Sequence, residues 1–146
     1  MLNKDFREFI ESLNSNNVKY LVLGGYAIAF HGHPRYTKDL DIWLELSEAN
    51  AENVLKALND FGFGDLDVSK VDLLHEGMVV QIGYPPNRID LINSPDGVEF
   101  SACYRTRTEI DINGLLISVI GLENLKKNKK ASGRLQDLAD LEKMSE

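Results

Sequence analysis

An α+β domain, in which a small mixed sheet is flanked by helices, is predicted by three features of this chain. A short run at 18–23, apolar apart from Lys19, stops at Gly24-Gly25 and has the β-branched and aromatic content of a strand buried on both faces. Phe6, Phe9, Ile10 and Leu13 recur at i, i+3, i+4 and i+7, the spacing of an amphipathic helix lying on a sheet. Asn113-Gly114 sits between 108–112 and 115–120, where a two-residue hairpin loop needs residues that tolerate positive φ.

The elements follow in order. The helix over 5–13 gives way to the polar turn 14–17 and the strand at 18–23. Ala27, Ile28, Ala29 and Phe30 favour a short helix, which Gly32 and His33-Pro34 stop. Residues 39–44 alternate as a second strand, and Ser47 is placed to cap a helix through Ala51, Val54, Leu55 and Leu58, closed by 61–64. Residues 65–76 leave two readings open, a helical turn capped by Ser69 or irregular chain. Strands at 78–82 and 88–92 flank a turn at 83–87, and Ser94-Pro95 predicts an N-cap with proline at the first helical position, opening a helix to about Tyr104. Beyond the Asn-Gly hairpin come helices at 122–131 and, after Ser132-Gly133, at 134–144, with Leu135, Leu138 and Leu141 along one side of the last.

With 146 residues, the chain has the size of one domain with a real core, and no second domain is expected. Hydrophobic residues at 43% and charged residues at 27% mark a globular protein. No apolar run nears the roughly 20 residues that cross a bilayer, and the first residues lack a signal-peptide core, so a soluble cytoplasmic protein without a membrane partner is expected. Cys103 is the only cysteine, which excludes an intrachain disulfide and a cysteine metal cluster; it reads as a small buried hydrophobe. A net charge of −7 argues against broad electrostatic binding of nucleic acid, although a local basic groove stays compatible with it.

The chemistry concentrates at 20–44. Gly24 and Gly25 stand at a strand-to-helix corner, where unpaired backbone N–H groups and the lack of a Cβ suit a phosphate. Fifteen residues past Gly24, Asp39 and Asp41 share one face of a strand, with Leu40, Ile42 and Leu44 on the other. Their Cα atoms lie about 6.5 to 7 Å apart, close enough that both staying ionised is unfavourable unless a cation lies between them. Carboxylates beside a phosphate cradle suit Mg²⁺ or Mn²⁺ and a nucleoside triphosphate; the alternative is a solvated edge strand. A third carboxylate is supplied by Asp90 in an apolar strand, where it needs a cation or a salt bridge with Arg88, whereas Asp111 beside Asn113-Gly114 is ordinary turn chemistry. Arg35 and Lys38 flank the aspartates and could bind phosphate or base, and Thr37 could donate a hydroxyl hydrogen bond. His31 and His33 read as helix-end and turn residues, and Trp43 as a core residue, with stacking on a base the other possibility.

Leu23-Gly24-Gly25, thirteen residues, then Asp39-Leu40-Asp41 resembles the nucleotidyltransferase superfamily related to DNA polymerase β. The approach Arg35-Tyr36-Thr37-Lys38 resembles small bacterial members, including toxin-type proteins of the AbiEii kind. The resemblance implies the nucleotidyltransferase fold, metal ligation by Asp39, Asp41 and Asp90, and triphosphate binding at Gly24 and Gly25. It extends to the tail, where 129–140 resembles the Lys-x-x-x-Gly-Arg-x-x-Asp-Leu-x-Asp pattern, so that Lys129 and Arg134 would meet triphosphate or acceptor, oriented by Asp137; the plain reading is surface ion pairs. Lys126, Lys127 and Lys130 read as a solvated helix face.

The expected activity is transfer of a nucleoside monophosphate from an NTP to a hydroxyl of an unknown acceptor, which could be a small molecule, a protein or RNA. Two alternatives share the fold: a toxin–antitoxin component that modifies RNA or tRNA, and a non-catalytic nucleotide-binding regulator. A homodimer or a partner chain could complete the cleft.

Overall fold

The computed structural model describes residues 2–33, 37, 39–84 and 87–145. Its elements in order are α1 (Lys4–Ser15), β1 (Tyr20–Leu23), α2 (Gly24–Phe30), β2 (Leu40–Leu44), α3 (Glu48–Asp60), α4 (Lys70–Leu74), β3 (Val79–Ile82), β4 (Ile89–Ile92), α5 (Phe100–Arg105), β5 (Thr108–Ile112), β6 (Leu115–Val119), α6 (Leu122–Ser132) and α7 (Leu135–Met144). Six strands form one sheet in the order β3-β4-β2-β1-β6-β5. The β1–β2, β3–β4 and β5–β6 pairs are antiparallel, while β1–β6 and β2–β4 are parallel, so the sheet is mixed and the fold α+β.

Local chemistry sets the boundaries. Asn3 accepts from the Phe6 N–H to cap α1, whose Phe6, Phe9, Ile10 and Leu13 are completely buried. Ser47 caps α3 in the same way, and Ser69 with Asp72 forms a reciprocal capping box, which resolves 65–76 in favour of a helical turn. β1 is buried along its whole length between β2 and β6, as a continuous apolar run requires. Asn50 joins three elements, accepting from Lys19 N–H and donating to the carbonyls of Lys19 and Glu45. Cys103 and Trp43 are both 1% exposed. The Trp43 indole donates to the Asn93 carbonyl and meets Phe100 edge-on, so it packs in the core and is closed to a base. The turn expected at 83–87 falls partly on Pro85 and Pro86, outside the described residues.

Two expectations are corrected. No helix opens at Ser94-Pro95: Gly97 turns at φ +77, Asn128 donates to the Asp96 carbonyl, and the helix begins only at Phe100. The turn is packed against α6, and an added Cβ at Gly97 would collide with Ala131. Of the three α7 leucines, Leu141 packs half-buried against the core, but the other two do not form the buried side. Leu135 and Leu138 are 87% and 49% exposed, and the helix buries Asp137, Asp140 and Met144.

Removal of the Asn50 amide leaves the Lys19 N–H without its acceptor, while the carbonyls of Lys19 and Glu45 keep the N–H groups of Glu45 and Ser47, so Asn50→Ala should lower stability by about 1 to 3 kcal/mol, read as a shifted urea midpoint at unchanged slope.

Candidate functional site

The β1–α2 corner meets β2 through a glycine. Gly24 holds φ +64, and a Cβ built on it would run into the Asp41 carboxylate, so absence of a side chain is needed for conformation and approach alike. Asp41 stands opposite Asp90 in the parallel β2–β4 register, on strands about 4.8 Å apart. Asp39 precedes β2 by one residue. Three carboxylates therefore crowd one end of two neighbouring strands.

Arg88 runs through this cluster. Its Nη2 donates to Asp39 Oδ2 at 2.7 Å and to Asp90 Oδ2 at 3.2 Å, and its Nε donates to Asp90 Oδ1 at 3.0 Å. Both oxygens of Asp90 are thus on one guanidinium, and the salt bridge weighed for Asp90 is present. Asp39 Oδ1 is buried without a hydrogen-bond partner. The Asp41 carboxyl is pushed up to about 6, first by burial and then by Asp90 and Asp39, with Lys129 and Arg134 pulling the other way. Burial, and then Asp39, also push the Tyr26 phenol up.

A cleft of about 820 Å³ opens over these groups, within the range of small-molecule sites. Gly24, Gly25, Thr37, Asp39 and Asp41 line it from the glycine corner and β2, and Lys129, Arg134 and Asp137 line it from α6 and α7. Asp90 is not among its lining residues and stands beside Asp41 on the neighbouring strand. Arg35 and Lys38 lie outside the described residues. The Thr37 hydroxyl is 3.5 Å from the Asp39 carbonyl. His31 pairs with the Ile120 carbonyl at 2.7 Å, a helix-end contact as expected.

The tail differs from a surface ion-pair pattern. The Lys129 side chain is 6% exposed and its ammonium donates to Asp137 at 2.9 Å, with Asp140 at 3.1 Å. Arg134, whose side chain is 76% exposed, donates to the other oxygen of Asp137 at 2.8 Å. Burial works against the Asp137 charge, yet hydrogen bonds from Arg134 and Lys129 hold its carboxyl well below the usual range.

An all-oxygen donor set suits a hard divalent ion. Asp39, with a buried oxygen lacking a partner, and Asp41, crowded by like charges, fit such an ion; Asp90 already has a cation. Among the described residues no three His, Cys, Asp or Glu side chains are grouped as ligands of one ion. Sequence reasoning missed several cleft residues: Asn128 and Ser132, one helical turn apart on α6, and the apolar Met78, Val79 and Ile92. The spacing 128, 129, 132 is the one signal that could have placed Asn128 and Ser132 beside Lys129.

Residues 5–144 match the family described as aminoglycoside-2''-adenylyltransferase. No curated protein matches the chain significantly. Among solved structures, a candidate nucleotidyltransferase from Thermotoga maritima superposes with a TM-score of 0.63 at 18% identity, over 94% of this chain and 88% of that one. An antigenic nucleotidyltransferase-like protein from Paracoccidioides brasiliensis gives a TM-score of 0.57 at 19% identity, over 98% and 77%. At these identities the likeness is one of fold.

Two outcomes follow from the electrostatics. Asp41 is protonated more readily folded than unfolded, so the stability it contributes is present below about 4 and lost as pH rises through about 6. Asp41→Asn should therefore stabilise metal-free protein at pH 7 by on the order of 1 kcal/mol, read as a higher Tm, and leave the Tm unchanged at pH 4. Lys129→Met removes the ammonium shared by two buried carboxylates, leaving Asp137 with Arg134 and Asp140 with Gln136, and should cost about 3 kcal/mol, whereas Arg134→Ala should cost less than about 1, both read by urea unfolding.

Proposed function

From the premise that the chain belongs to the aminoglycoside-2''-adenylyltransferase family, we propose that it is a metal-dependent nucleotidyltransferase that moves the nucleoside monophosphate of an NTP to an acceptor hydroxyl and releases pyrophosphate. The observation that carries this reading is the convergence of Gly24, Gly25, Asp39 and Asp41 on one cleft faced by Lys129 and Arg134.

Asp39 and Asp41 would hold the divalent ion, which when bound neutralises phosphate charge and aligns the reacting oxygens. Gly24 and Gly25 present bare backbone to the triphosphate. Arg134, exposed and tied to Asp137 through Nε, keeps its remaining N–H donors for a phosphate oxygen. Lys129 is committed to Asp137 and Asp140, so it acts by field and by holding the cleft wall. Thr37 offers a hydroxyl to the same space. Asp90 can serve as a third ligand or as the base only when its carboxylate leaves Arg88.

The family's name points to an aminoglycoside hydroxyl as the first acceptor to test, and Asp96 in the cleft suits a cationic sugar. A net charge of −7 disfavours the toxin reading with an RNA acceptor. The second reading, a nucleotide-binding regulator without turnover, is favoured by the engagement of Asp90 with Arg88.

Calorimetry with ATP and GTP in the presence of Mg²⁺ should give binding that weakens at least tenfold in Asp39→Asn and in Gly24→Ala. Labelled nucleotide should then appear on an aminoglycoside. Equal, metal-independent binding in the wild type and Asp39→Asn would sink the proposal, and metal-dependent binding without transfer to any acceptor would favour the regulator.

A further inference from the structure

We propose that Arg88 is the fixed second cation of this site, so that the chain works with one divalent ion, held by Asp39 and Asp41, where two would otherwise be needed. The inference rests on the nucleotidyltransferase reading and specifies how its carboxylates are neutralised.

The geometry points to Arg88 for four reasons. Its guanidinium is a planar fork with two donors on Asp90, at 3.0 and 3.2 Å, and one of them also on Asp39 at 2.7 Å, so one rigid group spans both strands. Its backbone is pinned as well, because the Arg88 carbonyl accepts from the Leu40 N–H at 3.0 Å where β2 begins. The side chains of Arg88 and Asp90 are 28% and 14% exposed, which limits competition from water. An arginine cannot be neutralised by losing its proton, so the charge is permanent.

The acceptors that remain belong to the other two acids. Asp39 gives Oδ2 to Arg88 and keeps Oδ1, buried and without a partner, while Asp41 lies outside the ion pair and lines the cleft. Three carboxylates and one guanidinium leave a net charge of −2, which a single divalent ion matches. A second such ion on Asp90 would stand within a few ångströms of the guanidinium and be repelled by it. Arg88 is therefore a positioning residue: it touches the carboxylates and supplies positive charge at Asp90 without the exchange and geometric demands of a metal.

The test counts ions. Mn²⁺ electron paramagnetic resonance, with α,β-methylene-ATP as the bound nucleotide, separates one isolated ion from two ions about 3.5 to 4 Å apart, which couple magnetically. Wild type and Asp90→Asn should each take up one uncoupled Mn²⁺ per bound nucleotide. Arg88→Gln, which frees Asp90, should take up two coupled ions, and Arg88→Lys should stay at one. Two coupled ions in the wild type, or one ion in folded Arg88→Gln, would overturn the inference and leave the nucleotidyltransferase reading standing. No nucleotide-dependent Mn²⁺ uptake in any variant would remove that reading and this inference together. The wild-type count decides even if Arg88→Gln fails to fold.

Discussion

Like charge held at close quarters is the constraint on which this molecule turns. Asp41 and Asp90 are register partners on adjacent parallel strands, and Asp39 stands immediately before the same strand as Asp41. At an effective dielectric constant near 20, each unscreened pair of such charges about 5 Å apart repels by about 3 kcal/mol. The fold tolerates that because Arg88 binds two of the three, and because the third rests on a glycine that leaves it open to the cleft. The sheet order is what makes the crowding possible, since β2 lies between β4, which carries Asp90, and β1, which ends just before Gly24.

The opposite wall follows the same logic with the signs reversed. Lys129 is buried between Asp137 and Asp140, and Arg134 bonds the outer oxygen of Asp137. A buried ion pair contributes little net stability, because desolvation takes back most of the Coulomb gain, but loss of one partner is costly. What this arrangement fixes is geometry. It sets the end of α6 against the start of α7 and keeps two positive charges near enough to Asp41 to oppose the rise in its pKa. A leucine face on α7 would have packed more simply. The outward position of Leu135 and Leu138 leaves Asp137, Asp140 and Met144, with Leu141 half-buried, as the side that docks α7.

These layers bear on how a phosphate-rich ligand would be received. The acid side asks for a cation, the α6–α7 side offers cations, and the glycine corner supplies bare backbone between them. Each part is rigidly backed: the acids by Arg88, the basic wall by Asp137 and Asp140, and the corner by the buried strand β1. Preorganised charge of this kind is the main resource that a phosphoryl-transfer site brings to its reaction.

Much of this could be read from residues alone, wherever the deciding interactions are local. Periodicity located α1, β1, β2 and α3, Asn113-Gly114 located the β5–β6 hairpin, and the spacing of Gly24-Gly25 to Asp39 and Asp41 located the cleft. The Ser94-Pro95 signal failed because Gly97 and the contact with α6 outweigh a local cap, and the α7 stripe failed because hydrophobicity says nothing about a buried ammonium one helix away. The chain by itself determined which residues could carry charge and bend the backbone. Only the tertiary structure decided which charges face one another, that Arg88 reaches Asp39 as well as Asp90, that Lys129 is buried, and that Asp90 stands beside Asp41, since pairings across 8 to 49 residues depend on strand order and helix docking, which no local pattern encodes.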